Sequence, residues 1–294
     1  MKSEIDALQA QLDAAKLKTI ILRPETAFGF NRGPITYYVT DLPGDKVRLC
    51  QSADGKGWGP TMPAASLKHF VNDIEGRVDL PRSRVPEIDA VIRGIAEPLG
   101  KGDDGMVFRV GPSVVKVSTT VPFQPENQGH LSPIQAIERL RKQTEMHNLA
   151  AKLEFAEPAR FYKHGDKGFQ IQPVLRLVKK FTRGQLDEIQ RGVIAFHDRG
   201  LIVGDTLQFG LDRKGHAKAY DLGKTDRASE SFPRYGWHSQ YENDMEHVEE
   251  LYRDSGVAFV DLDPRRDELV GKPKRTARIE REAREAARSA KRRQ

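Results

Sequence analysis

The chain has 294 residues, 38% of them hydrophobic and 31% charged, with a formal net charge of +6. That length suits two domains, or one larger domain with an accessory module, and no run of about 18 apolar residues offers a transmembrane helix. A single cysteine, Cys50, excludes an internal disulfide and a multi-cysteine zinc site; with an N-terminus that lacks the apolar core of a signal peptide, the expectation is a cytoplasmic protein.

In chain order, residues 3–17 read as a short helix with Ile5, Leu8, Leu12 and Ala15 at helical spacing, within an N-terminal helical segment 1–20. Thr36–Thr40 and Lys46–Gln51 are β-branched runs joined by Leu42-Pro43-Gly44-Asp45, where Pro presets φ and Gly accepts a positive one. A glycine-rich loop at Gly55–Pro60 follows, and Ala65–Val71 closes the segment as a short helix or strand. Together these predict a small β-rich, SH3-like module over 21–76, and Arg77–Pro86 reads as a linker.

Beyond it the pattern changes to strands, a helix, strands and helices, which predicts an α+β domain over 87–262. Ile88–Ile95 leads in, Met106–Val110 and Ser113–Ser118 read as strands, and Pro133–Lys152 as a long helix. Gly168–Pro173 and Val174–Val178 are extended, and Gly184–Arg199 is amphipathic. Gln208–Asp212 and His216–Asp221 form a hairpin around Arg213-Lys214-Gly215, and Gln240–Asp254 is a further helix. Residues 272–294 hold ten Lys and Arg against three Glu, a net +7, so the rest of the chain carries −1. Arg278, Arg281, Arg284, Arg288 and Arg292 recur every three or four residues, which predicts a basic helical tail suited to nucleic acid or an acidic partner; a solvated terminus is the ordinary alternative.

Two features carry chemistry. Gly100-Lys101-Gly102-Asp103-Asp104-Gly105 is a glycine-rich loop of the kind that lets backbone N–H groups approach phosphate oxygens. No helix follows directly, as a dinucleotide fold would require; a strand, the Gly111-Pro112 turn and a second strand follow instead. That second strand sets Lys116 among valines, eleven residues after Gly105. An edge-strand lysine usually faces solvent, and the loop upstream turns this one toward phosphate.

With these residues in hand, the sequence resembles the protein-kinase-like superfamily. Gly100, Gly102, Gly105 and Val107 follow its G-x-G-x-x-G-x-V pattern, and Lys116 follows the lysine that grips the α- and β-phosphates. The resemblance implies a helix glutamate to hold that lysine, for which Glu145 fits best and Glu138 is the alternative. Val203-Gly204-Asp205 looks like the catalytic loop, with Asp205 orienting the attacking hydroxyl and accepting its proton. Tyr220-Asp221-Leu222-Gly223 resembles the triplet whose aspartate binds magnesium. Asp244 would anchor the catalytic loop, and the linker between lobes would fall near Gln172–Leu177, where Pro173 donates no hydrogen bond.

Two departures stand out. Five residues after Asp205, where the family places a metal-binding asparagine, stands Gly210; Gln208 would supply the amide oxygen if the loop is two residues shorter. No Ala-Pro-Glu motif follows Gly223. The resemblance therefore implies a two-lobed kinase-like fold, with an N-lobe at 87–173 and a C-lobe at 174–262. It implies a phosphotransferase using ATP and Mg2+, with a protein Ser/Thr acceptor favoured over a small molecule. A pseudokinase without transfer, motivated by Gly210, is the rival. A third reading makes the tail and the small module a nucleic-acid binder regulated by the kinase-like domain.

Overall fold

The computed structural model describes residues 18–22, 35–50, 61–74, 76–102, 105–120, 131–203, 207–220, 222, 225–227 and 234–266. The helix read at 3–17 and the basic tail at 272–294 lie outside them. The chain divides into one unit of residues 1–145 and 159–174, and another of 146–158 and 175–294. Among the described residues no helix is long and apolar enough to cross a membrane.

The N-terminal unit holds two sheets. The first is an antiparallel meander of β1 (Lys18–Leu22), β2 (Ile35–Leu42), β3 (Lys46–Cys50) and β4 (Thr61–Pro63), in that order. The β-branched run Thr19-Ile20-Ile21 pairs with Thr36, Tyr37 and Tyr38, so the end of the segment read as N-terminal helix is strand. Two residues, Gly44 and Asp45, take positive φ in the turn that joins β2 and β3. A 3-10 turn (Ala64–Ser66) then leads into helix α1 (Leu67–Ile74). Val39, Val47, Leu49, Met62 and Phe70 form the core of this module, each contributing roughly 1.5–3 kcal/mol of apolar burial.

The second sheet contains β5 (Glu97–Gly102), β6 (Gly105–Val110), β7 (Ser113–Val117), β8 (Arg160–His164) and β9 (Lys167–Pro173). Its order is β5-β6-β7-β9-β8, with every neighbour antiparallel. Between β7 and β8 the chain runs through helix α3 (Pro133–Lys152). Short helix α2 (Pro86–Ile92) covers one face, where Ile88 and Val91 meet Met106, Phe108, Val115, Val117, Phe169 and Ile171. The stretch read as a linker is packed too, since Val78 and Leu80 join that cluster and His164 bonds the Pro81 carbonyl at 2.7 Å.

The C-terminal unit is built on helices α4 (Arg183–Asp198) and α5 (Arg234–Asp254). A capping box starts α4: the Thr182 hydroxyl accepts from the Gln185 N–H, and the Gln185 side chain accepts from the Thr182 N–H. Two antiparallel ribbons complete the unit, β10 (Leu201–Val203) with β13 (Thr225–Arg227) and β11 (Gln208–Leu211) with β12 (Ala217–Tyr220). Leu186, Ile189, Val193, Phe196, Tyr241, Met245, Val248 and Tyr252 lie in one core with Phe209, Leu211, Ala217 and Ala219.

Candidate active site

Pairing in the second sheet assembles the glycine-rich segment and the lysine. Gly100 pairs with Val107, Val107 with Lys116, and Lys116 with Gln170, so the four form one cross-strand row. Strands lie about 4.8 Å apart, which places the Lys116 backbone roughly 10 Å from that of Gly100. Because side chains alternate, this row lies on the face opposite the α2 core; Val115 and Val117 are buried while Lys116 is half-buried.

Two glycines of the loop have local reasons. A Cβ on Gly105 would come within 2.4 Å of the Val117 carbonyl oxygen, so β6 and β7 approach too closely for any other residue. A Cβ on Gly100 would meet nothing within 4 Å, which leaves that stretch of backbone open to a ligand. Gly102 ends β5 opposite Gly105, and the intervening Asp103 and Asp104 lie outside the described residues.

Helix α3 lies on the same face as Lys116. A Cβ added to Gly168, two residues from Gln170 and on its side of β9, would come within 3.5 Å of the Ile137 Cα. The buried stripe of α3 comprises Ala136, Ile137, Leu140, Gln143, Thr144 and His147. Glu145 stands on the other side, with its side chain 58% exposed and bonded to Arg141, which also holds Glu138. Of the polar residues on this stripe, Thr144 and His147 bond the carbonyls of Leu140 and Glu157, whereas for Gln143, 6% exposed, neither the amide nitrogen nor the amide oxygen has a hydrogen-bond partner. The periodicity of Ala136, Ile137, Leu140 and Thr144 is the sequence signal that identifies this face.

In the C-terminal unit, Asp205 and Asp221 themselves lie outside the described residues, but the strands that flank them are ordered in register. Val203 pairs with Thr225, and Gln208 pairs with Tyr220. The chain therefore leaves β10 opposite the start of β13, and enters β11 opposite the end of β12. Helix α5 secures this region from below: His247 bonds the carbonyl of Leu207 at 2.9 Å, and Leu207 is itself buried. Asp244, buried in α5, accepts from His197 at 2.7 Å and from Gln240 at 3.1 Å, which fastens the end of α4 that precedes β10.

The two amide-ligand alternatives are also placed. Gly210 is buried in β11, and a Cβ there would come within 2.8 Å of the Leu175 Cβ, so this position serves close packing. Gln208 is exposed at the start of β11, directly opposite the residue that precedes Asp221. An amide oxygen and carboxylates make a hard-donor set suited to magnesium. Among the described residues no group of three or more His, Cys, Asp or Glu forms a metal cluster.

No protein-family model and no curated protein matches the chain. Among solved structures, monomeric WbdD is 17% identical, with a TM-score of 0.33 over 50% of this chain and 37% of that one. The bifunctional kinase-methyltransferase WbdD is 11% identical, with a TM-score of 0.32 over 54% and 44%. A Rio2 kinase from Chaetomium thermophilum, in an ADP/Mg2+-phosphoaspartate complex, is 11% identical, with a TM-score of 0.35 over 56% and 56%. The chain thus spans between about a third and just over half of the length of these structures. These likenesses are partial, and the functional reading rests on the chain's own residues.

Proposed function

We propose that this chain is a phosphotransferase of protein-kinase-like type, acting on an alcohol group with magnesium-ATP. The observation that carries the reading is the cross-strand row of Gly100, Val107 and Lys116, with a glycine hairpin at the sheet's edge and the lysine on its third strand. Bound magnesium-ATP would supply the phosphoryl group and offset its charge. Backbone N–H groups of Gly100, Gly102 and Gly105 would cradle the phosphates, and the Lys116 ammonium would hold the α- and β-phosphates. Asp205 would orient the acceptor hydroxyl and take its proton. Asp221 and Gln208 would be the protein's metal ligands, a role supported by Gln208 facing Tyr220 across the ribbon. We favour a protein Ser/Thr acceptor, with the 272–294 tail as an arm for an acidic macromolecule.

The test is γ-phosphate transfer by wild type and by Asp205→Ala, using a generic Ser/Thr protein acceptor and the chain itself. Transfer by wild type that the variant loses supports the assignment, whereas equal background in both ends it. A second reading, nucleotide binding without transfer, is favoured by Gly210: it stands where the resemblance calls for a metal-binding asparagine, and close packing against Leu175 leaves no room for a side chain there. Saturable nucleotide binding with no Asp205-dependent transfer would select that reading.

A further inference from the structure

The polar network at the end of α1 is absorbed by none of the roles above. Asp73 is fully buried, and its carboxylate forms an ion pair with Lys167 at the start of β9. The same carboxylate accepts from the backbone N–H of Thr120 at 2.6 Å and from its hydroxyl at 2.5 Å. Ser118, two residues before Thr120, donates its N–H to the Gly168 carbonyl, and its hydroxyl accepts from the Gly168 N–H. The Asp73 main-chain carbonyl is one of the last four of α1, which have no acceptor role within the helix. It receives the ammonium of Lys101 at 2.6 Å. A cation at a helix C-terminus is also favoured by the helix dipole.

Lys101 stands between Gly100 and Gly102. One residue of the accessory module therefore holds three parts of the second sheet: the glycine-rich hairpin through Lys101, the exit of β7 through Thr120, and the entry of β9 through Lys167. A glycine-rich hairpin is intrinsically loose, because each glycine lacks the side chain that would restrict its backbone. A bond from Lys101, in the strand that carries Gly100 and Gly102, to the end of α1 restricts that strand. Further contacts join the same two parts of the unit, with His69 at 2.6 Å from Asp166 and Lys68 at 2.7 Å from Asp79.

We propose that Lys101 and Asp73 are positioning residues, through which the N-terminal β module fixes the glycine-rich hairpin in the shape that receives phosphate. This rests on the nucleotide-binding reading of that hairpin. The module is then a built-in part of the nucleotide site, and a ligand that displaced α1 would weaken nucleotide binding.

Full-length wild type, Lys101→Met, Asp73→Asn and the double variant are compared by two measurements: the Kd for a fluorescent ATP analogue with magnesium, and amide hydrogen exchange over residues 97–108. Lys101→Met keeps the aliphatic stem and loses only the ammonium. It is expected to weaken nucleotide binding about tenfold and to speed exchange across the hairpin, without lowering the melting temperature. Asp73→Asn keeps the main-chain carbonyl that Lys101 bonds and removes only the carboxylate charge that Thr120 and Lys167 meet, so it is expected to do the same in part, and the double variant to lose at least as much as Lys101→Met. Lys101→Arg, which keeps a cationic donor, should restore most of the affinity. If Lys101→Met weakens binding while leaving exchange as in wild type, the lysine touches the nucleotide directly and the positioning role is wrong. Unchanged affinity and exchange in both single variants would also overturn it. If wild type binds no nucleotide, the functional reading fails by itself, and exchange still decides whether the tether orders the hairpin. Should Asp73→Asn not fold, Thr120→Val, which removes one donor to the Asp73 carboxylate, takes its place.

Discussion

Asp73 and Asp244 are both buried carboxylates, one in each unit, and they do different work. Asp244 takes its partners from two helices, α4 and α5, whose apolar faces already share one core. Asp73 takes its partners from segments 47 and 94 residues away, and it lies between two separate apolar cores, that of the β module and that of the second sheet. In the C-terminal unit, hydrophobic burial brings the elements together and the carboxylate refines their placement. In the N-terminal unit, polar contacts join what the apolar cores leave apart. A group that only refines should be cheaper to lose than one that connects.

The largest effect expected is on rate, and it belongs to the C-terminal unit: Asp205→Ala should lower phosphate transfer by roughly 10²–10⁴-fold, with nucleotide affinity within about twofold of wild type. A variant that lost affinity and kept its rate would reverse the assignment of chemistry to that unit. On stability the order is the opposite. Asp73→Ala leaves Lys167 buried without its counter-charge and should cost ~3–5 kcal/mol, read as a shift of the chemical-denaturation midpoint.

Lys101 provides the pH-dependent version of the same comparison. Burial, opposed by the nearby Asp73 and reinforced by the charge of Lys167, lowers its pKa from 10.5 to about 8. The folded chain then binds fewer protons than the unfolded chain between those values. Stability should therefore rise with pH through that window, by up to about 1.4 kcal/mol per pH unit from this group. Below about pH 8 both states are protonated and the dependence vanishes. Subtracting the stability curve of Lys101→Met isolates the contribution, and a difference flat from pH 8 to 10.5 would show that the ammonium is well solvated.

Asp244→Ala should cost less than Asp73→Ala, about 1–3 kcal/mol, because it removes the partner of a single buried histidine within a core that stays packed. A larger loss than for Asp73 would undo the distinction drawn between the two. The smallest effect concerns α3: Glu145→Ala, at an exposed position, should change nucleotide affinity by no more than about twofold, whereas Gln143→Ala, on the inward face, should weaken it roughly fivefold. The opposite ranking would return the lysine-holding role to Glu145.

Much of the local structure can be read from the chain because its signals are local. Helix α3 begins where Ser132 and Gln135 exchange side-chain bonds with each other's backbone N–H groups, and that Ser-x-x-Gln pattern is visible in sequence. The turn between β11 and β12 is equally plain, since the Asp212 carboxylate accepts from the N–H groups of both Lys214 and His216. Strand β8 is missed by the sequence reading, although Gly165-Asp166 is a two-residue hairpin signal and Gly165 takes a φ of 59°. Arg160-Phe161-Tyr162-Lys163-His164 shows neither a two-residue alternation nor a strong apolar face, and the strand exists because β9 offers it a full ladder.

Sequence alone determined which residue types are available for chemistry: a glycine-rich segment, a lysine on the strand after the turn, and two aspartates flanking a hairpin. It determined them because motif spacing and turn chemistry act over a few residues. Tertiary structure decided that Gly100, Val107 and Lys116 share one row, because strand register is set by burial of the opposite face. It also decided that α3 buries Gln143 and leaves Glu145 exposed, since a helix rotates to bury its apolar stripe and carries any polar residue on that stripe with it. The bond from Lys101 to the end of α1 spans 28 residues. No local rule foretells it, because only the docking of a separate module puts an orphan helix carbonyl beside the glycine-rich hairpin.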